Sequence, residues 1–482
     1  MSAQDGATLY IDGAWASAGD GATFPVTDPA TGTVIGKAAE GGAAETREAL
    51  AAASAAFPLW SAESAYTRAD VLTRAHALML ERADELARLM TTEQGKPLKA
   101  ARAEVGYAAD FLSWFAGEAT RVYGTTIPSR RREQRFTVLR QPVGVVAGIT
   151  PWNYPVSMIT RKVAPAIAAG CTVVLKPAEQ TPLCAAAVFE VLHEAGLPGG
   201  VANLVTTSRP AEVGDVLLDS RAVRKLTFTG STEVGKALAA RAAATMKRVS
   251  MELGGHAPFL VFDDADPVHA AKGAALVKFL NTGQACICPN RIYVQRSGYD
   301  RFMKAFTERV AKLKPGPGLD PSSTVGPLID ADAMTKMRDQ VADARAKGAS
   351  VLAGGERVGD AAGGLFFQPT VLADVTPDMR VYREETFGPI AALIPFDDED
   401  EAIAMANDTD YGLASYLYTT DLARATRVSE ALRFGIVGIN DINPTSAAAP
   451  FGGVGDSGLG REGGAQGIDE YLDVKLVGQV LG

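Results

Sequence analysis

Cysteine and histidine are scarce in this chain, four of each among 482 residues. So few cysteines exclude a disulfide scaffold, and in a reducing compartment a close pair is catalytic, metal-binding or redox-active instead. The histidines show no ligand spacing. Long apolar runs are missing too, since none approaches the ~20 residues of a membrane span. The opening MSAQDGATLYIDGAWASAGD lacks a basic segment leading into an apolar core, so a cytoplasmic location without a membrane partner is expected. Basic charge is in deficit, and a net charge of -9 argues against nucleic acid as partner. There is no internal repeat and no low-complexity segment. What remains is 47% hydrophobic and 21% charged, an ordinary globular composition. Single cores stop growing near ~250–300 residues, so two or more domains are expected.

The organisation is α/β. After a β-like opening (ATLYIDGAW), Ala43 to Tyr123 carries apolar residues at three- and four-residue spacing, which predicts helices, and Val71–Met90 is the clearest of them. The stretch IPSRRREQRFTVLRQPVG then alternates Phe136, Val138 and Val143 with polar neighbours, as an exposed strand or hairpin does. From Val143 to Gly255 short apolar runs alternate with helical segments, the rhythm of a parallel, doubly wound sheet. A second α/β cycle runs from about Pro258 to Gly435. The tail IDEYLDVKLVGQV alternates Leu472, Val474 and Leu476 with Asp473 and Lys475, a strand that needs an edge to pair with.

Ligand crevices of open α/β sheets lie at the carboxyl ends of strands. Four turns there carry polar residues: Thr150-Pro151-Trp152-Asn153, Lys176-Pro177-Ala178-Glu179, Gly230-Ser231, and Glu252-Leu253-Gly254-Gly255. Gly230 and Ser231 open a helix whose free N–H groups suit a pyrophosphate, although ordinary turns use the same residues. Lys176 and Glu179 stand where a dinucleotide ribose would lie. A carboxylate there favours NAD over NADP, and a solvated helix start is the alternative. Glu252 is a lone carboxylate in apolar, glycine-rich surroundings, either a raised-pKa base or half of an ion pair. Asn153 suits a helix cap or an oxyanion donor.

The stretch NTGQACICPN holds Cys286 and Cys288 one residue apart. Structural zinc needs a second ligand pair, and Cys171 and Cys184 sit singly in apolar patterns, so no metal is expected. Together with Glu252 and Asn153, Cys286 specifies one reaction: thiolate addition to an aldehyde, hydride loss to NAD and hydrolysis of the thioester. Cys288 is expected to serve as a resolving thiol when Cys286 is oxidised.

PWNYP, KPAEQTP, FTGSTEVG, MELGGHAP, NTGQACICPN, EETFGP and PFGGVGDSGLGREG together resemble the aldehyde dehydrogenase superfamily, over essentially the whole chain. The resemblance implies Cys286 as nucleophile, Glu252 as base, Asn153 as oxyanion donor, and Lys176 and Glu179 on the adenosine ribose. It further implies Glu385 on the nicotinamide ribose, Phe387 beside the ring, and Lys162 and Glu462 in a proton relay. The fold implied is a Rossmann-like NAD-binding domain (1–125 and 144–255), an α/β catalytic domain (256–445) and a β-ribbon (126–143 and 468–482) that builds a homodimer or homotetramer. MITRKVAPAIAAGCTVVLKPAE, the CxC motif and GREGGAQGIDEYLDVK are similar to the succinate-semialdehyde dehydrogenase branch. That branch implies Arg161 on a substrate carboxylate, with Tyr154 sharing its helix face and Thr445 or Ser446 as a hydroxyl donor. Its second arginine falls at Leu280 here, which leaves less polar or longer aldehydes open. A non-catalytic binding protein on the same fold has no need of Cys286, Glu252 and Asn153 together, and a CoA-acylating relative has no need of Glu252.

Overall fold

Five parallel strands form the middle of the first sheet, in the order Ala202–Leu204, Thr172–Lys176, Val145–Ile149, Val223–Thr229 and Arg248–Glu252. Val145–Ile149 and Thr172–Lys176, in the middle, are largely apolar, as burial on both faces requires. Chain order runs one way from Val145–Ile149 and resumes on its other side with Val223–Thr229, so the turns after these two strands flank the topological switch point. The opening strands Leu9–Ile11 and Ala14–Ala16 extend one edge, and Gly458–Leu459 pairs antiparallel with Arg248–Glu252 at the other. A second, seven-stranded sheet is built from Ala257 to Ile439, with Ala257–Val261 and Pro289–Gln295 side by side near its centre. The last of the five parallel strands and the first strand of this sheet are thus separated only by Leu253–His256, which brings the carboxyl end of the first sheet up to the second.

The computed structural model describes residues 8–359 and 364–481. Met1–Ala7, part of the opening read above for a leader, and Gly482, the end of the ribbon, lie outside the described residues. No helix among the described residues is long and apolar enough to cross a membrane. The hairpin Thr125–Pro128 with Gln134–Pro142 pairs with Leu472–Val480, so the tail strand finds its edge there.

Four helices fill Ala43–Ala119, and Val71–Met90 divides into two of them at Arg82. Arg82 leaves helical geometry (φ -90°, ψ 13°), and its guanidinium bonds Glu85 and reaches Glu190 and Glu194 on a neighbouring helix. Those three carboxylates favour the break over continuing the helix. The third helix, Ala83–Gln94, ends at Gly95 with φ 93°, a left-handed cap that suits glycine. A Cβ there would lie 2.5 Å from Pro327. The fourth, Leu98–Ala119, buries Ala101, Val105, Ala108, Phe111, Leu112 and Phe115 at helical spacing against the helix Ser157–Ala169. That helix starts after Tyr154, which therefore sits in the preceding turn and not, as its spacing suggested, on the helix with Arg161.

Candidate active site

A cavity of about 410 Å³ opens among the helices Leu98–Ala119, Ser157–Ala169 and Pro267–Lys278, lined by Cys286, Tyr154, Met158, Arg161, Leu280 and Phe451 among others. Cys286 is half-buried on a loop that follows an unusual turn. Asn281, Thr282 and Gly283 take φ of 47°, 61° and 75°, three left-handed residues in succession. A β-branched residue in that region is strained, and side-chain bonds hold the turn there. Thr282 Oγ1 donates to the Gly326 carbonyl at 3.1 Å, and Asn281 Nδ2 to the Asn153 carbonyl at 2.8 Å. Behind the loop, Gly255 admits the Cys286 carbonyl to a position where a Cβ would stand 2.1 Å from it.

Asn153 leaves the strand Val145–Ile149 in the turn before Ser157–Ala169. One N–H of its amide is used by the Gln284 carbonyl at 3.1 Å, which leaves the other free. Glu252 ends its strand, buried, with Oε1 lacking a hydrogen-bond partner. Burial and the charge of Glu462 push its carboxyl up to about 8, against Arg161, Lys162 and Arg461. Glu252 is therefore not the lone carboxylate its sequence context suggested; its charged neighbours come from distant parts of the chain. Burial also pushes the Cys286 thiol up, with Glu252's charge adding to it and Arg161 opposing, so the resting thiol is neutral.

Glu462 bonds Lys162, which in turn donates to Thr227 Oγ1 at 3.2 Å. Arg161 Nη2 lies 2.9 Å from Glu462 Oε2, outside hydrogen-bonding geometry, and the guanidinium stacks 4.1 Å over the Phe451 ring. Burial works against the Glu462 charge, yet Lys162 and Arg161 hold its carboxyl below the usual range. Burial lowers Lys162, which Glu462 opposes.

The other turns follow the neighbouring strands of the first sheet. Ser231 caps the helix Thr232–Ala243, and the buried Thr229 Oγ1 has no partner. Lys176 and Glu179 pair at 3.0 Å, and the Thr150 N–H donates to the Lys176 carbonyl, which ties the Thr150-Pro151 and Lys176-Pro177 turns together. Glu385 Oε1 accepts from the Gly255 N–H at 2.8 Å, and burial raises its carboxyl. Trp152 and Phe387 meet edge to face, 5.5 Å between ring centres. A Cβ on Gly254 would stand 2.9 Å from Glu385 Oε2 and 3.0 Å from Thr232 Oγ1. Leu253 is buried, and a Cβ on Gly235 of the same helix would stand 2.2 Å from its Cδ2. A helix N-terminus, an orphan hydroxyl, a ribose-sized carboxylate and glycines at the point of approach fit a nicotinamide dinucleotide.

Two expectations are corrected. Cys288 is 1% exposed and turned off the cavity, its Sγ donating to the Lys278 carbonyl at 3.1 Å, so it does not stand beside Cys286 as a resolving thiol. Both cysteines are free. Thr445 lines the cavity, but Ser446 is exposed and only caps the Ala448 N–H. Sequence reasoning missed Lys96, Glu104 and Phe451. The signal was present for Glu104, a charge on the apolar stripe of an amphipathic helix.

Residues 15–477 match the aldehyde dehydrogenase family model. A glutarate-semialdehyde dehydrogenase of Pseudomonas putida is 53% identical over 468 residues, 97% of this chain and 96% of the relative. An NADP(+) succinate-semialdehyde dehydrogenase of Escherichia coli is 52% identical over 467 residues, again 97% and 96%. The crystal structure of succinate-semialdehyde dehydrogenase from Burkholderia pseudomallei superposes with a TM-score of 0.96 at 49% identity, covering 98% of this chain and 97% of that one. The chain belongs to the aldehyde dehydrogenase family: it is an oxidoreductase that acts on aldehydes with NAD or NADP. The Rossmann-like sheet, the catalytic α/β sheet and the β-ribbon are those of that fold.

Proposed function

We propose that this enzyme oxidises a terminal aldehyde carrying a carboxylate at its far end, such as succinate semialdehyde, and prefers NAD to NADP. Arg161 carries the substrate reading. It lines the cavity that holds Cys286, yet Nε and Nη2, both buried, donate no hydrogen bond. Nη2 has the Glu462 carboxylate at 2.9 Å but off line, and Nε has no partner at all; buried donors left so are costly, and a substrate carboxylate would satisfy them. Relatives named for succinate and glutarate semialdehyde support the same class. A less polar or longer aldehyde is the second reading, favoured by Leu280, Leu276 and Ile442 in the same lining.

In the reaction, Glu252 Oε1 takes the proton from the Cys286 thiol, and the thiolate adds to the aldehyde carbon. The free N–H of the Asn153 amide and the Cys286 backbone N–H hold the oxyanion. Bound nicotinamide supplies the hydride acceptor. Glu252 then takes a proton from water, which hydrolyses the thioester on Cys286 and frees the acid. Lys162 and Glu462 pass protons between Glu252 and solvent.

Glu179 supports the choice of NAD, because a carboxylate facing a 2′-phosphate costs of order 1 kcal/mol or more at a partly exposed site. The relative named for NADP(+) makes this a point to measure. One set of steady-state assays tests both choices. A charge-assisted contact of about 1.5–3 kcal/mol should give succinate semialdehyde a kcat/KM roughly ten- to a hundredfold above butanal. NAD should exceed NADP by about tenfold or more. Butanal as the better substrate would hand the pocket to the apolar reading, and equal use of NADP would remove Glu179 from the argument.

A further inference from the structure

Beside the nucleophile loop lies a buried ion pair to which the reaction as written gives no task. Lys96 and Glu104 are 1% and 4% exposed, bonded to each other, and both line the cavity of Cys286. Two charges taken out of water are a costly way to hold a fold, since apolar residues of similar volume often serve as well. Their remaining bonds show what they hold. Lys96 Nζ donates to the Asn153 carbonyl at 2.8 Å and lies 4.1 Å from the centre of the Tyr154 ring. Glu104 Oε1 accepts from the Val156 and Ser157 N–H groups at 3.1 and 3.2 Å, where the next helix begins. The two charges therefore grip the turn Asn153–Ser157 at both ends. Asn281 Nδ2 donates to the same Asn153 carbonyl, so that oxygen is fixed by two donors.

We infer that Lys96, anchored by Glu104, is a positioning residue for aldehyde oxidation: it fixes the backbone of Asn153 so that the side-chain amide meets the oxyanion forming next to Cys286. Neither charge reaches the reacting carbon. Their effect is carried by the Asn153 carbonyl and by the first N–H groups of the helix Ser157–Ala169. A donor misplaced by about an ångström can cost on the order of a hundredfold in rate.

The inference rests on Asn153 as oxyanion donor, and a double-mutant cycle separates the two assignments. Rates are measured with succinate semialdehyde and with butanal for wild type, Asn153→Ala, Lys96→Met and the variant with both changes. Asn153→Ala alone should lower kcat by about a hundred- to a thousandfold; an undiminished rate would overturn the oxyanion assignment itself. Lys96→Met should lower kcat about ten- to a hundredfold, equally for both aldehydes. On top of Asn153→Ala it should cost no more than about a further twofold, because the donor it positions is already gone. A merely structural role would give the same loss in both backgrounds, and that result overturns the inference. Lys96→Met with Glu104→Gln removes both charges and keeps an amide oxygen to accept from the Val156 and Ser157 N–H groups, so it should melt near the wild-type temperature and show the same fall in kcat. A wild-type kcat in this pair, or failure of both forms to fold, overturns the inference as well.

Discussion

Glu252 holds its proton at neutral pH because it is buried and faces Glu462, which moves its carboxyl to about 8. A carboxyl raised in the folded state binds its proton more tightly there than in the unfolded chain. Its contribution to stability is thus fully present below the ordinary value near ~4.3 and is lost as pH rises to about 8. Activity runs the other way, since only the ionised form takes a proton from water. The kcat profile should therefore rise with pH through about 8. Glu252→Gln should abolish that limb and slow both the first turnover of NADH, because no base takes the Cys286 proton, and the hydrolysis that follows. An unchanged limb in Glu252→Gln would show that another group limits the rate. At this scale the places of Asn153 and Glu252 were legible because each follows or ends a strand, and that of Cys286 because it lies in a short turn-rich stretch, whereas Glu385 was reached only through the family resemblance. The sequence made Glu252 look solitary because Arg161, Lys162 and Glu462 join it only in the fold. It kept Cys288 ambiguous because which way a loop side chain turns depends on the Lys278 carbonyl, not on spacing.

Elements were readable where one periodicity dominated. The buried parallel strands announced themselves as apolar runs, and the tail strand Leu472–Val480 as one in search of an edge. Val71–Met90 was misjudged as a single helix because the three carboxylates that bend it at Arg82 lie partly on another helix. The ribbon carries a prediction of its own. Along Leu472–Val480, Val474 and Leu476 are 72% and 61% exposed, and Val477 and Val480 are exposed beside them. Apolar side chains so placed on a sheet edge call for cover. A second copy of this chain is the expected cover, giving a homodimer or homotetramer. Replacing Val474 and Leu476 with Lys should lower the mass seen by sedimentation to that of the monomer. An assembly that survives both charges would place the subunit contact elsewhere.

At the scale of the whole molecule, two sheets are joined through Leu253–His256, between the strands Arg248–Glu252 and Ala257–Val261, and the reacting groups come from both sides of that join. Asn153 and Glu252 come from the first sheet, Cys286 from the loop that feeds the second, and Glu462 from the segment that returns to pair with the first. This convergence explains why the class of reaction was legible from strand ends while the substrate was not: the cavity wall draws on helix, loop and C-terminal residues with no common spacing. It also makes Cys286 the centre of the account. The most direct test is rapid mixing of enzyme, NAD and succinate semialdehyde with NADH absorbance as readout, for wild type and Cys286→Ala. The account predicts NADH from the wild type and none from Cys286→Ala. NADH formation by Cys286→Ala at a rate comparable to wild type, with Cys288 intact, would contradict it.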